Sequence, residues 1–156
     1  MVNIALVGCN GKMGKAVTSA VQSRNDCEIV FGADPFGTPA YDYPVFESLA
    51  VSDKKADVII DFSNPASLDD ILAYALEKKI PCVLCTTGYS PEQVEKIKKA
   101  SESVAVFYSG NMSLGINLLI ELSKEAAKIL GAADFDIEIV EKHHLSLIHI
   151  SEPTRH

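Results

Sequence analysis

Positive charge is in short supply in this chain. Its 14 lysines and arginines stand against 21 aspartates and glutamates, a formal net charge of −7 over 156 residues. An acidic chain has no broad electrostatic grip on nucleic acid or on an anionic membrane, so neither is expected as a partner, and any phosphate must be met locally. Long hydrophobic runs are missing too. None approaches the roughly 20 residues a bilayer-spanning helix needs, and the opening MVNIALVGCNGKMG has no charged segment leading into a signal-type apolar stretch. A cytoplasmic protein is expected. Cysteine is limited to Cys9, Cys27, Cys82 and Cys85, too few for a disulfide scaffold and compatible with a reducing compartment. No internal repeat or low-complexity segment is evident. With 47% hydrophobic and 22% charged residues, the composition is that of an ordinary globular domain and excludes disorder.

What is present is an alternation of two periodicities. Residues 2–7 form a β-branched apolar run ended by Gly8, after which Met13, Ala16, Val17, Ala20 and Val21 recur at helical spacing. Further strands are expected at 28–33, 57–62, 80–86 and 104–108, with a Pro- and Gly-rich loop at 36–44. Asn64-Pro65 reads as a cap with proline at the first helical position, ahead of a face made by Leu68, Ile71, Leu72, Ala75 and Leu76. Ser90-Pro91-Glu92-Gln93 is a capping box opening a Lys-rich helix. Ile116, Leu119, Ile120, Ser123, Ala127 and Leu130 line a last helix that closes at Gly131. Uniformly apolar strands alternating with helices imply α/β architecture, a doubly wound parallel sheet covered on both faces. Phe135, Ile137 and Ile139 alternate instead with Asp136 and Glu138, which predicts a strand with one solvated face, the start of a different, antiparallel layer. A domain boundary is therefore expected near Ala132.

Gly8, Gly11 and Gly14 stand three apart in the first strand-to-helix turn, where missing side chains let backbone amides approach a pyrophosphate at the positive end of the helix. The spacing departs from the commoner G-x-G-x-x-G, and tight turns also use glycine for steric reasons alone. Asp34 closes the second strand about 20 residues past the last glycine, where a carboxylate accepts hydrogen bonds from an adenosine ribose. Lys12, inside the turn, either reaches a phosphate or is simply solvated. Asp34 repels a 2′-phosphate and Lys12 attracts one, so the choice between NADH and NADPH stays open.

Ligands of open parallel sheets bind at the carboxyl ends of strands. Three small polar loops fall there: Asp61-Phe62-Ser63, Thr86-Thr87-Gly88 and Ser109-Gly110-Asn111-Met112-Ser113. Each also suits a cap or turn. Cys82 and Cys85 have C-x-x-C spacing, but residues three apart on a strand face opposite ways, so inert buried thiols are expected and no metal site. His143-His144 ends the last expected strand. Histidine is a common proton donor in reductions, and adjacent strand residues cannot both face one substrate atom.

These blocks together resemble the dihydrodipicolinate reductase family, also called 4-hydroxy-tetrahydrodipicolinate reductase. Residues 8–14, GCNGKMG, are similar to its G-A-x-G-R-M-G turn, and Asp61-Phe62-Ser63 followed by Pro65 to its D-F-[ST] element. Thr86-Thr87-Gly88 resembles its G-T-T-G loop, residues 111–117 its N-[FM]-S-x-G-[VI]-N block, and Glu141-Lys142-His143-His144 its E-x-H-H. The resemblance spans about residues 2–144. It implies a Rossmann-type dinucleotide-binding domain over 1–131 and, at 132–144, the first strand of a truncated α+β substrate and tetramerisation domain. It also implies NADH or NADPH as cofactor, reduction of a cyclic dicarboxylate imine on the diaminopimelate route to lysine, and a homotetramer for the full-length family. His143 becomes the acid/base and His144 a substrate contact. Gly8, Cys9, Asn10, Gly11, Lys12, Met13, Asp34, Cys85, Thr86, Thr87, Ser109, Gly110, Asn111 and Met112 line the cofactor. Lys12 stands where the family has arginine, keeping a cation but losing the planar fork. Cys85 stands where the family has glycine.

After His144 the resemblance stops. The family's following lysine and D-A-P-S-G-T segment are not found, and residues 145–156, LSLIHISEPTRH, look like a translated sequencing adapter joined to a truncated frame. A divergent terminus extending a strand through Leu145, Leu147 and Ile148 is the alternative. The chain is thus expected to be a fragment of little catalytic competence. Two other functions stay open at this point, a non-catalytic nucleotide-sensing module and another Rossmann dehydrogenase of amino-acid metabolism.

Overall fold

The computed structural model describes residues 1–36, 41–133 and 135–140. The chain divides after Gly110, into a unit Met1–Gly110 and a second beginning at Asn111.

The first unit is a six-stranded sheet, with strands β1 Val2–Val7, β2 Cys27–Ala33, β3 Val45–Phe46, β4 Val58–Asp61, β5 Cys82–Leu84 and β6 Val106–Tyr108. They lie in the order β3-β2-β1-β4-β5-β6, and every pair is parallel. The helices are α1 Lys12–Gln22, α2 Leu68–Lys78 and α3 Pro91–Ser101, with short 3-10 turns at Leu49–Val51 and Pro65–Ser67. Alternation along β1 shows why both faces need cover. Ala5 and Val7 join the core built with Leu68 and Ile71 of α2 and Ile97 and Ala100 of α3. Ile4 and Leu6 join a smaller core on the other face, closed by Val17 and Val21 of α1. The doubly wound sheet is as expected. Two-residue β3 carries no period and was covered by no expected strand.

Local chemistry sets the helix starts. Asn64 Oδ1 accepts from Ala66 N at 3.0 Å ahead of Pro65. Ser90 and Gln93 form the reciprocal box, Gln93 N to Ser90 Oγ at 3.3 Å and Ser90 N to Gln93 Oε1 at 3.0 Å. The buried stripe of α2 is Leu68, Ile71, Leu72, Tyr74 and Ala75, with Leu76 turned outward. In α1 the expected face is rotated. Met13, Ala16 and Ala20 are exposed, and Gly14, Val17, Thr18 and Val21 face inward. Gly14 must sit against the turn, and Thr18 satisfies its hydroxyl on Gly14 O at 2.9 Å and on the Tyr43 hydroxyl at 2.8 Å.

The second unit contains helix α4, Leu114–Gly131, capped by Ser113 Oγ on Ile116 N at 3.3 Å. Its expected apolar stripe is exposed, Ile116, Leu119, Ile120 and Leu130 included. Residues 135–140 have no regular secondary structure, contrary to the expected strand. A strand exists only through its ladder, and no described residue pairs with this segment. Residues 141–156, with His143, His144 and the adapter-like tail, lie outside the described residues.

Candidate dinucleotide site

Backbone crowding explains two of the three glycines. Gly8 has φ +75°, a conformation L side chains rarely adopt, and a Cβ there would lie 2.6 Å from Phe62 O. A Cβ on Gly14 would lie 2.3 Å from Gly8 O and 2.5 Å from Cys9 Cα. Gly11 is different. Its added Cβ would meet only Gly8 O, at 3.3 Å. It occupies the N-cap position of α1 with no side-chain cap and no acidic residue in the first turn. The positive end of this helix is therefore left for an outside anion.

The turn opens onto a cavity of about 720 Å³ lined by Gly8, Asn10 and Gly11, by Asp34, Pro35 and Phe36 after β2, and by Glu47, Ser48 and Leu49 after β3. The far wall is Phe62, Ser63 and Asn64 after β4, with Ser67, Asp70 and Ile71 at the start of α2. It lies where the strand order reverses, between the ends of β1, β2 and β4. Asp34 is fixed rather than loose. Its Oδ2 accepts from Asn10 N and its Oδ1 from Phe36 N, both at 2.9 Å, which leaves lone pairs on each oxygen for ribose hydroxyls. Asn10 Nδ2 also donates to Phe36 O at 2.5 Å, closing the corner.

Parallel pairing carries the edge onward. Phe62 N donates to Val7 O at 3.0 Å, Cys85 N to Asp61 O at 2.9 Å and Ser109 N to Leu84 O at 3.1 Å, so the three polar loops start side by side. A buried carboxylate ties two of them together. Asp61 Oδ1 accepts from Ser63 N at 2.9 Å and Ser63 Oγ at 2.5 Å, and Oδ2 from the Tyr89 hydroxyl at 3.1 Å. Burial, and then the neighbouring Asp61, pushes the Tyr89 phenol well above its ordinary range. Gly110 approaches Thr87, whose Cγ2 would lie 3.3 Å from an added Cβ.

The expected cofactor residues thus fall into distinct groups. Gly8, Asn10, Gly11 and Asp34 share the cavity. Cys9 touches it through backbone at most, because its thiol points at Gly32 in the core on the α1 face, where a Cβ on Gly32 would come within 2.6 Å of Cys9 Sγ. Burial, with Asp34 adding, holds that thiol up at about 11. Lys12 and Met13 are exposed at the start of α1, outside the cavity lining. Cys85, Thr86, Thr87, Ser109 and Gly110 lie on the neighbouring loops, Cys85 and Thr86 buried and Thr87 exposed. Burial, and then Asp61, raises the Cys85 thiol to about 11. Asn111 and Met112 belong to the second unit, where Asn111 Oδ1 accepts from Ser113 N at 2.9 Å. Glu47, Ser48 and Asp70 were not expected in the site. Their signal was position only, just past a strand and in the first turn of a helix.

Among the described residues no cluster of His, Cys, Asp and Glu could hold a metal ion, and no helix is long and apolar enough to cross a membrane. A glycine turn that admits no Cβ at Gly8 or Gly14, an unclaimed helix N-terminus and an anchored carboxylate at the end of the adjacent strand fit a dinucleotide, and with the strand order they define a Rossmann-type nucleotide-binding domain.

Residues 2–112 match the family described as dihydrodipicolinate reductase, N-terminus, and the chain belongs to that family. It is 51% identical over 144 residues to the 4-hydroxy-tetrahydrodipicolinate reductase of Clostridium tetani, an alignment covering 92% of this chain and 56% of that protein. The corresponding reductase of Caldanaerobacter subterraneus is 46% identical over 144 residues, with the same coverages. A solved dipicolinate-bound dihydrodipicolinate reductase from Paenisporosarcina superposes with a TM-score of 0.69 at 25% identity, over 81% of this chain and 54% of that one. The chain spans about half the length of the curated relatives it matches.

Proposed function

We propose that this chain is the cofactor-binding part of an NADH- or NADPH-dependent 4-hydroxy-tetrahydrodipicolinate reductase acting in lysine and diaminopimelate biosynthesis. The observation that carries the reading is the turn in which Gly8 and Gly14 exclude any Cβ while α1 presents an uncapped N-terminus to a cavity closed by Asp34. When bound, the reduced nicotinamide supplies a hydride. The chain's own share is to seat the pyrophosphate on the amides after Gly8, to hold the ribose on Asp34, and to line the nicotinamide end with Cys85, Thr86, Thr87, Ser109 and Gly110; the resemblance to the family also assigns Asn111 and Met112 to the cofactor. Lys12 approaches the phosphates from outside the cavity, and Cys9 and Met13 contribute backbone.

In the same proposal the 4-hydroxyl leaves as water, the hydride goes to the resulting cyclic dicarboxylate imine, His143 gives the proton that completes tetrahydrodipicolinate, and His144 contacts the substrate, with 132–144 opening the substrate domain. The biosynthetic names of the relatives support a cytoplasmic place for the full-length enzyme, and its resemblance to the family implies a homotetramer. Residues 1–144 are expected to bind reduced dinucleotide and, joined to a relative's C-terminal half, to turn substrate over. The test is NADH oxidation by that fusion with the dihydrodipicolinate precursor, compared with its His143→Ala variant. Normal reduction by the variant removes the assignment of the acid, and a fusion that binds dinucleotide but reduces only other substrates removes the reductase reading.

A further inference from the structure

The choice between the two dinucleotides, open from sequence, is decided by charge around the cavity, given the dinucleotide reading above. In sheets of this order the acidic residue ending the second strand faces the adenosine ribose, and dinucleotides with a 2′-phosphate need a cation there. Here that residue is Asp34, locked in place by the amides of Asn10 and Phe36 at 2.9 Å each. Two more carboxylates line the same cavity, Glu47 and Asp70, and the described residues that line it include no lysine or arginine. The helix start on that side is already claimed. Asn64 Oδ1 takes the Ala66 amide at 3.0 Å, and Asp69 and Asp70 fill the first turn of α2. Lys96 is held by Asp69 at 2.7 Å. Lys12 is exposed at the other end of the turn, outside the lining.

A 2′-phosphate brings up to about two negative charges beside three lining carboxylates, with Lys12, outside the lining, as the one cation of the glycine turn. We propose that the chain selects NADH over NADPH, and that Glu47 and Asp70 act with Asp34 as specificity determinants.

The test titrates the intact chain with NADH and NADPH by the cofactor's own fluorescence, and repeats the comparison with ADP-ribose and its 2′-phosphate as competitors. NADPH is expected to bind at least about tenfold more weakly at low ionic strength, with the gap narrowing as salt screens the exposed Glu47 and Asp70. The isosteric double variant Glu47→Gln, Asp70→Asn narrows the ratio of the two dissociation constants by about threefold or more, and Asp34→Asn narrows it further. Far-UV circular dichroism on each variant keeps a folding defect apart from a change in preference. Equal or tighter NADPH binding by the wild-type chain overturns the preference while leaving the dinucleotide reading standing. An unchanged ratio in the folded double variant overturns the role of Glu47 and Asp70. Saturable binding of neither cofactor overturns the dinucleotide reading itself, and this inference with it.

Discussion

Replacing Gly14 by alanine sets a helix preference against a steric wall, and the two can be weighed. Alanine is favoured over glycine inside a helix by about 1 kcal/mol. Against this, the new methyl would stand 2.3 Å from Gly8 O and 2.5 Å from both Cys9 Cα and Cys9 O. All three are main-chain atoms in a turn pinned by Gly8 N to Ala33 O at 2.9 Å and Gly11 N to Gly8 O at 3.2 Å, so no side chain can swing aside. Overpacking of a tight site costs roughly 1–3 kcal/mol, and three simultaneous backbone overlaps place this one at or above the top of that range. The net loss is about 2 kcal/mol, which at a urea slope of about 1–3 kcal/mol per molar lowers the unfolding midpoint by around 1 M. Gly11→Ala is the companion. Its methyl meets one atom, at 3.3 Å, with φ at −70°, so its cost stays below about 1 kcal/mol. Gly11 nevertheless lines the cavity, so this variant should keep its midpoint and lose affinity for NADH. The assays are urea unfolding followed by far-UV circular dichroism and NADH titration. A Gly14→Ala protein as stable as the parent, or a Gly11→Ala protein that binds NADH unchanged, would refute the division between the steric glycine and the ligand-facing one.

Tyr89→Phe removes the 3.1 Å hydrogen bond to buried Asp61 but leaves both Ser63 bonds, so it should destabilise the fold by about 1–2 kcal/mol; an unchanged urea midpoint would show that the tie between the two loops carries no energy. Burial holds the Cys9, Cys82 and Cys85 thiols up at about 11. An unfolded thiol ionises near 8.5, so between roughly pH 8.5 and 11 the unfolded chain has released protons that the folded chain keeps, and stability is full below that window and falls as pH rises through it. Melting temperatures from pH 7 to 10.5 should decline for the parent and decline less for a Cys82→Ala, Cys85→Ala variant; parallel curves would remove the thiols as the cause.

Legibility in the sequence followed how local each determinant is. The capping box at Ser90, the Asn64-Pro65 start and the glycine turn were readable because the partners lie within a few residues of one another. The rotated face of α1 was not. Hydropathy favoured Met13, which is exposed, over Gly14 and Thr18, which are buried. Their burial depends on a close approach to Gly8 and on the Tyr43 hydroxyl, 25 residues away in sequence from Thr18. Residues 135–140 show the opposite failure. Alternation of Phe135, Ile137 and Ile139 is a statement about faces, whereas a strand also needs a neighbour, and none is found among the described residues.

The site itself was half legible for a related reason. Gly8, Asn10, Gly11 and Asp34 belong to one strand-turn-helix-strand unit, so spacing alone brought them together. Glu47 and Asp70 reach the same cavity only through strand order, one from beyond β3 at the sheet's edge and one from the helix after β4. A sequence window that sees Lys12 beside the glycines therefore weighs a cation that is not among the described lining residues, and misses two carboxylates that are. The sign of the field at the ribose end is a property of the assembled sheet, and it opposes a second phosphate.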